Sequence, residues 1–354
     1  VFYSEGGAYW PVFEPALREL SKFEVPVLYL TSDEKDPAFA AEIKNISMQY
    51  TGKGMKAYFY LNRLKADIVV MTTPGLDVLQ IKRSKGVRHY IHITHSAGGC
   101  SGYKTYGIDY YDTVLTGGDA DIAMIREIES KRPIKKKNLE AVGCTYLDVT
   151  RNKLKSADFM VSKYFSNDRK TVLISPTWGS HGLLSVFGDK VFQLLIDNTD
   201  YNIIIRPHPQ SFICEENLIQ SLKENYSDSQ RIYWDSNKSN INSLAQSDIM
   251  ISDFSGIIFD YLFVFGKPVI SHVSGYDKRS KDSMDLDDDP WNISVLKKIG
   301  TNIDENNIDF LPDILKENFN RSNDLSYIID TLRNDMDKYP GESGRRCAEY
   351  IYNL

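Results

Sequence analysis

The stretch MISDFSGIIFDYLFVFG, residues 250–266, joins an apolar strand to an apolar helix through a short polar turn. The turn has the sequence SDFSG, residues 252–256, and we expect the helix to end at Gly266. A strand that runs through a tight turn into a helix is typical of parallel sheets covered by helices. The stretch therefore predicts an α/β fold.

Short apolar runs alternate with helical patterns on both sides of this stretch, and they form two successive series. The first series runs from VFYSE at 1–5 to LEAVGC at 139–144, and the second from KTVLISPTW at 170–178 to KPVISHV at 267–273. A chain of 354 residues is longer than a single core usually supports. We therefore predict two Rossmann-like domains facing each other, over 1–152 and 153–338, with a polar linker at 148–158. Residues 339–354 predict a final amphipathic helix that packs back on the first domain.

The composition narrows the class of protein. With 42% hydrophobic and 25% charged residues, it is that of a soluble globular protein, and no apolar run approaches the roughly 18 residues that cross a bilayer. The net charge of −6 argues against a nucleic-acid partner bound through a general basic surface. The four cysteines lie far apart without metal-ligand spacing, which predicts buried reduced thiols in a cytoplasmic protein: Cys100, Cys144, Cys214 and Cys347.

Three polar groups share one placement, each directly after a predicted strand. They are THSAGG at 94–99, RPHP at 206–209 and SDFSG at 252–256. Ligands of open α/β sheets bind outside the carboxyl ends of the strands. The three groups therefore predict a ligand site along edges of this kind.

The SDFSG turn is predicted to bind phosphate. The hydroxyls of Ser252 and Ser255 and the N–H groups of Gly256 and Ile257 converge on the start of a helix, which favours an anion through unsatisfied donors and the helix dipole. Simple capping of the helix by Asp253 or Ser255 explains the pattern equally well.

The RPHP segment predicts a stiff cation and imidazole pair. Each residue before a proline is biased towards an extended backbone, so Arg206 and His208 are expected to face the same side. Arginine offers a forked donor for phosphate oxygens, and His208 can donate to charge that develops in a transition state. The alternative is a strand exit with a surface arginine and histidine.

His95 is a candidate general base, because it follows an apolar strand and its ordinary pKa lies near neutral pH. His92 and His95 as a metal pair are rejected, since a spacing of three in a strand places them on opposite faces. His89 and His92 are read as structural histidines. For His181 two roles remain equally open: it contacts the ligand, or it is an exposed residue with no part in binding.

Two charged segments are read as solvated loops. The first is KRPIKKK, residues 131–137. Its alternative role is to contact anionic lipid head groups or a polyanionic acceptor. DSMDLDDDPW, residues 282–291, lacks the spacing of an EF-hand and predicts a mobile acidic loop.

RPHP followed downstream by SDFSGIIFDY, with HITHS at 92–96 upstream and YPGESGRRCAEYI at 339–351 closing the chain, resembles the CDP-glycerol glycerophosphotransferase family. The resemblance implies a GT-B fold, in which two Rossmann-like domains hold the donor in the cleft between them. It makes 1–152 the acceptor domain and 153–338 the nucleotide-donor domain.

The same resemblance implies roles for individual residues. His95 matches the presumed general base, and His208 matches a histidine that contacts the donor phosphates. The other matches lie in the phosphate-binding turn, at Ser252, Asp253 and Ser255, and in a Pro-Thr pair of the donor domain, at Thr177.

The implied reaction is attack by an acceptor hydroxyl on the β-phosphorus of a CDP-alditol, with release of CMP, in cell-surface polymer synthesis. Glycerol phosphate is the default group and ribitol phosphate is an alternative. The expected partners are the nucleotide-linked donor and a lipid-linked or polymeric saccharide or phosphate acceptor. The expected location is the cytoplasm, with peripheral contact to the inner face of the plasma membrane as an option. Neither a cofactor nor a tightly bound metal is expected.

The sequence departs from the family pattern at Ser96-Ala97, where the family has Gly-Thr, and at Gly256, where it has a second serine. Two other functions are therefore carried as alternatives. One is a GT-B glycosyltransferase that uses a sugar nucleotide. The other is a catalytically degenerate nucleotide-binding protein.

Overall fold

The computed structural model describes residues 1–157, 160–319 and 325–354, so that Asp158 of the predicted linker lies outside the described residues. The chain forms two compact units, each with its own sheet. Unit 1 consists of Val1–Lys153, Lys278–Pro290 and Leu332–Leu354, and unit 2 of Leu154–Asp277 and Trp291–Thr331.

The strands and helices alternate along most of the chain. The strands are β1 Phe2–Ser4, β2 Val27–Thr31, β3 Ile46–Tyr50, β4 Lys65–Met71, β5 Gly86–Ile93, β6 Thr113–Thr116, β7 Asn138–Ala141, β8 Thr171–Ile174, β9 Asn202–Ile205, β10 Ile232–Trp234, β11 Ile249–Ser252, β12 Val269–Ser271 and β13 Thr301–Asn302. The helices are α1 Trp10–Leu20, α2 Met55–Leu61, α3 Asp119–Lys131, α4 Thr145–Lys155, α5 Leu183–Phe187, α6 Asp189–Asn198, α7 Ser211–Cys214, α8 Glu216–Asn225, α9 Ile241–Gln246, α10 Ile257–Asp260, α11 Trp291–Leu296, α12 Leu311–Phe319, α13 Leu325–Met336 and α14 Ser343–Tyr352.

Both sheets are parallel throughout. The order in unit 1 is β3-β2-β1-β4-β5-β6-β7, and in unit 2 it is β10-β9-β8-β11-β12-β13. Strands β6, β8, β9 and β11 are buried along their whole length, as expected where helices cover both faces of a parallel sheet. The predicted α/β class with two Rossmann-like sheets is confirmed.

The quoted stretch folds as predicted at its centre. Strand β11 ends at Ser252. Helix α10 starts at Ile257 and continues as a π-helical turn over Tyr261–Phe265, and this turn ends at Gly266 with φ +63°. A left-handed residue of this kind suits glycine, which lacks a Cβ. The helix thus begins directly at the polar turn.

Helix α14 lies in unit 1 and packs along α1. Gly344 makes the close approach possible, because a Cβ there would lie 2.6 Å from Cβ of Pro15. The buried face of α14 includes Cys347 and Ala348, which join the core formed by Phe13 and Leu17.

The predicted linker and domain boundaries need correction. Residues 148–155 of the polar stretch belong to helix α4, which begins at Thr145 and buries Thr145, Leu147 and Asp148. Residues 278–290 and 332–338, assigned above to the second domain, belong to unit 1.

A buried ionic network explains why 278–290 belongs to unit 1. The Arg132 guanidinium, 6% exposed, binds the carboxylates of Asp109 at 2.8 Å, Asp282 at 2.9 Å and Asp285 at 2.7 Å. Lys137 is also buried and lies 3.6 Å from Glu129. The basic stretch is therefore not simply a solvated loop, and the acidic segment is held at Asp282 and Asp285 instead of being mobile.

Three cysteines are buried as predicted, but Cys214 is exposed at the end of the short helix α7. All four are free thiols. Among the described helices, none combines the length and apolar character needed to cross a membrane.

Removing the Arg132 side chain would leave Asp282 buried without its cation. We expect Arg132→Ala to cost about 3–5 kcal/mol in the free energy of unfolding, measured by urea titration, because an uncompensated buried charge is expensive. Arg88→Ala is the matched control, since its pair with Asp67 is exposed and should change the midpoint little. Equal effects of both substitutions would contradict the role assigned to the network.

Candidate active site

The carboxyl edge of the unit 2 sheet gathers the residues predicted to bind the donor. The loops after β8, β9 and β11 begin at Ser175, Arg206 and Asp253. Because β8 lies between β9 and β11, the outer two strand ends are two strand spacings apart, about 10 Å. RPHP and SDFSG therefore lie on the same edge of one sheet.

Asp253 is the buried centre of this edge. Its carboxylate accepts hydrogen bonds from the N–H of Thr177 at 2.9 Å and from the N–H of Leu183 at 3.0 Å. Burial raises the pKa of Asp253 to about 6, opposed by these backbone donors. Ser252, also fully buried, donates its hydroxyl to the carbonyl of Ser175 at 2.6 Å.

These contacts correct the phosphate-binding role predicted for Ser252 and Asp253. The Ser252 hydroxyl and the Asp253 carboxylate are directed into the protein and fix the loop that follows β8. A phosphate cannot approach a fully buried carboxylate, and like charge would oppose it. Ser252 and Asp253 position the loop, to which Thr177 belongs.

Ser255, Gly256 and Ile257 remain available to an anion. Ser255 is half-buried, and its hydroxyl has no hydrogen bond within the described ranges. The N–H groups of Gly256 and Ile257 lie at the start of α10, where the first N–H groups have no acceptor inside the helix. These donors face the same edge as the RPHP segment.

Arg206 differs from its prediction. Its guanidinium donates to the Asp235 carboxylate at 2.6 Å and to the carbonyl of Asn237 at 2.8 Å. Asp235 is fully buried, and it also accepts from Ser243. Arg206 is therefore committed to the loop after β10 and is not a free forked donor for phosphate.

His208 presents a proton to the edge of the sheet. Its Nδ1 accepts the backbone N–H of Gln210 at 3.1 Å, so the neutral ring carries its hydrogen on Nε2. Burial lowers the pKa of His208, while the Glu215 carboxylate opposes that shift. His208 is therefore a neutral hydrogen-bond donor near the exposed Trp178 ring, 6.5 Å away between centroids. His181, left open above, is exposed.

In unit 1, His95 lies two residues beyond the end of β5. Its Nδ1 is 2.8 Å from the hydroxyl of Thr72, which itself donates to the carbonyl of Ile93 at 2.8 Å. Since the Thr72 hydrogen is used there, we assign the imidazole hydrogen to Nδ1 of His95, from which Thr72 accepts. Nε2 then carries the free lone pair, and no group in the described residues bonds to it.

The surroundings of His95 keep it neutral. Burial lowers the pKa of His95 to about 4. Tyr103 stacks on the ring, with centroids 5.2 Å apart and its hydroxyl 3.1 Å from Nδ1, and Tyr9 meets the ring edge-on at 5.2 Å. A neutral, oriented imidazole with a free lone pair can accept a proton from a hydroxyl.

Sequence reasoning missed Thr72, Tyr103 and Tyr9, and it gave a wrong reason for separating His92 from His95. Both histidines contact the Tyr103 hydroxyl, His92 through Nε2 at 3.2 Å, because β5 ends before His95. His92 is fully buried, and His89 bonds Thr113 at 2.8 Å. In the part of the chain that the structure describes, no three potential ligands form a metal cluster.

The Ser96-Ala97 departure leaves the orientation of His95 intact. The Ala97 N–H donates to the Tyr146 hydroxyl at 2.7 Å, and Ser96 accepts from the Gly98 N–H at 3.1 Å. The ring of His95 is oriented by Thr72, which follows a different strand. The two residues after His95 therefore need not be Gly-Thr for the base to be held.

Comparison of the fold with solved structures defines the class of protein. The chain is similar to the wall teichoic acid polymerase TagF, at 16% identity over 99% of this chain and 88% of that one, with a TM-score of 0.62. It is also similar to UDP-GlcNAc 2-epimerases from Methanocaldococcus jannaschii, at 14% identity over 100% and 98% of the two chains with a TM-score of 0.59, and from Neisseria meningitidis, at 13% over 100% and 99% with a TM-score of 0.58. The fold is of the GT-B type.

The family model of CDP-glycerol:poly(glycerophosphate) glycerophosphotransferases matches residues 108–289. The chain belongs to this family and is a phosphotransferase that uses a nucleotide-linked donor and a polymer acceptor. A search among curated proteins gives no match.

Two substitutions in the SDFSG turn should separate positioning from binding. Asp253→Asn puts an NH₂ group against N–H donors, and we expect it to lower the free energy of unfolding by about 1–3 kcal/mol for the unsatisfied groups. Ser255→Ala should leave stability nearly unchanged and reduce the thermal shift produced by a CDP-linked donor. A large loss of stability in Ser255→Ala, or none in Asp253→Asn, would contradict these assignments.

Proposed function

We propose that the protein transfers glycerol phosphate from CDP-glycerol to a hydroxyl of a cell-surface polymer and releases CMP. Family membership supports the reaction class. The observation that carries the mechanism is the neutral His95, with Nδ1–H bound to Thr72 and the Nε2 lone pair free. Its proposed location is the cytoplasm, at the inner face of the plasma membrane.

His95 acts as the general base in this proposal. The acceptor hydroxyl passes its proton to Nε2 as its oxygen forms a bond to the β-phosphorus of the donor. The bond from that phosphorus to the bridging oxygen breaks, and its electron pair leaves with CMP. Thr72 keeps the Nδ1–H of the resulting imidazolium in place, which holds the base in line with the acceptor.

The donor diphosphate is assigned to unit 2. His208 donates its Nε2–H to the phosphate oxygens, on which negative charge increases during transfer. Ser255 and the N–H groups of Gly256 and Ile257 supply further donors at the helix start. Arg206, Ser252, Asp253 and Thr177 hold these groups in place through the buried contacts described above.

Replacing His95 removes the proposed base without touching the donor groups. We expect His95→Ala to lower CMP release about 10²–10⁴-fold, the usual contribution of general base catalysis, while the thermal shift with CDP-glycerol is unchanged. His181→Ala, at an exposed histidine, is the matched control. Full activity of His95→Ala would overturn the mechanism, and release of a uridine nucleotide from a sugar nucleotide would favour the glycosyltransferase alternative.

The pH dependence of kcat/KM tests the state of His95. Because its pKa is lowered to about 4, the base stays unprotonated above that value and is lost only as the pH falls through it. We expect the acid limb of the profile near pH 4, instead of near the ordinary histidine value of about 6.5. A limb near 6.5 that disappears in His95→Ala would show that His95 is not held in the neutral form.

A further inference from the structure

A cavity lies at the carboxyl edge of the unit 1 sheet, where β1, β2 and β3 end. Its volume is about 350 Å³. The polar residues that line it are Tyr3, Glu5, Ser32, Asp33, Lys53 and Tyr58. None of them was singled out by the sequence motifs, and the reaction described above uses none of them.

The cavity is a neighbour of the proposed base. Strands β1 and β5 are separated only by β4, so the residues that follow them lie about two strand spacings apart, roughly 10 Å. Tyr9 links the cavity to His95, because its ring contacts the imidazole edge-on. The pKa of Tyr9 is raised by burial and, to a smaller extent, by the Glu5 carboxylate. A molecule in the cavity therefore lies beside the acceptor hydroxyl that reaches His95.

Two charged groups in the cavity are available to a ligand. Within the described ranges, neither Glu5 nor Lys53 has a hydrogen bond or an ion pair. Lys53 lies between Gly52 at φ +88° and Gly54 at φ +57°. Residues other than glycine rarely adopt these positive φ values. The wall of the cavity is firm, since the buried hydroxyls of Tyr3 and Ser32 lie 3.0 Å apart in a hydrogen bond.

The balance of charge selects the kind of ligand. Asp33 accepts the N–H of Gly7 at 3.2 Å and that of Lys35 at 3.0 Å, so its carboxylate is held in the wall of the cavity. With Glu5, two carboxylates face one ammonium group. A phosphate would meet net repulsion here, whereas a neutral sugar can donate to Glu5, accept from Lys53 and pack on the Tyr58 ring.

We propose that this cavity binds a neutral saccharide unit of the acceptor. The inference rests on the proposed function, and it names the acceptor as a hydroxyl-rich sugar next to the attacked position, in preference to a polyanionic glycerol phosphate chain. Glu5 and Lys53 are the specificity-determining residues. They bind the acceptor and take no part in the proton transfer.

Binding of saccharides can be measured without any donor. We use methyl glycosides of neutral hexoses and N-acetylhexosamines, with disaccharides built from them, and a glycerol phosphate trimer as the anionic probe, and follow ligand NMR line broadening. The wild-type protein should broaden the NMR lines of neutral saccharides at ligand concentrations at least tenfold below those needed for the trimer. Glu5→Gln should weaken that binding about tenfold, whereas Glu42→Gln, the same charge change at an exposed residue away from the cavity, should not.

Transfer assays then test the cavity in the working enzyme. With CDP-glycerol as donor, Glu5→Gln and Lys53→Ala should raise KM for the saccharide acceptor about tenfold and change kcat and the donor thermal shift little. Glu5→Lys should improve use of the trimer at low salt, and the gain should fade at high salt because the attraction is screened.

The outcomes separate this inference from the proposed function. The acceptor assignment is overturned if the trimer binds more tightly than every saccharide, or if saccharide binding is unchanged in Glu5→Gln and Lys53→Ala. Donor binding and CMP release would stand in that case. Absence of a donor thermal shift and of CMP release overturns the proposed function. Saccharide binding lost in Glu5→Gln supports the cavity assignment in either case.

Discussion

The buried carboxylate of Asp253 is the interaction on which the carboxyl edge of the unit 2 sheet depends. It joins the end of β11 to the loop after β8 by accepting N–H groups from Thr177 and Leu183. Its burial is costly, and only the number of donors around it compensates for that cost. Without this contact the loop after β8 would lose the hydrogen bonds that hold it beside α10. The exposed part of the turn, at Ser255 and Gly256, has its geometry because the buried part is fully bonded.

His95 in unit 1 and His208 in unit 2 are neutral in opposite tautomers, and in each ring this follows from one local hydrogen bond. Thr72 accepts from Nδ1 of His95 and leaves a lone pair on Nε2, whereas the Gln210 N–H donates to Nδ1 of His208 and leaves a proton on Nε2. One ring is therefore suited to accept a proton and the other to donate a hydrogen bond. Burial supports both, because it lowers the pKa of each ring. The division of labour proposed for the reaction comes from these neighbours and not from the histidines themselves.

The sequence predicts the fold well because the strands are short apolar runs between helical patterns, and parallel sheets need such runs. Strand β3 escaped notice because it is an edge strand with alternating exposed residues. The site residues were placed on the correct strand ends, but several of their roles were misjudged. Arg206 and Asp253 look like ligand-binding residues in sequence, since a buried partner such as Asp235, or a ring of backbone N–H groups, leaves no local pattern. The same holds for Arg132, whose partners lie up to 153 positions away.

Unit 1 is built from three separate segments of the chain, and its last segment supplies α14 along α1 and Asp337, which binds Arg151. During synthesis the sheet of this unit emerges before unit 2, but α14, which covers part of it, emerges only after all of unit 2. Domains that are contiguous can fold in order of appearance. Here the sheet of unit 1 stays partly uncovered until α14 has been made, so unit 1 cannot complete its core before the chain of unit 2 has been synthesised.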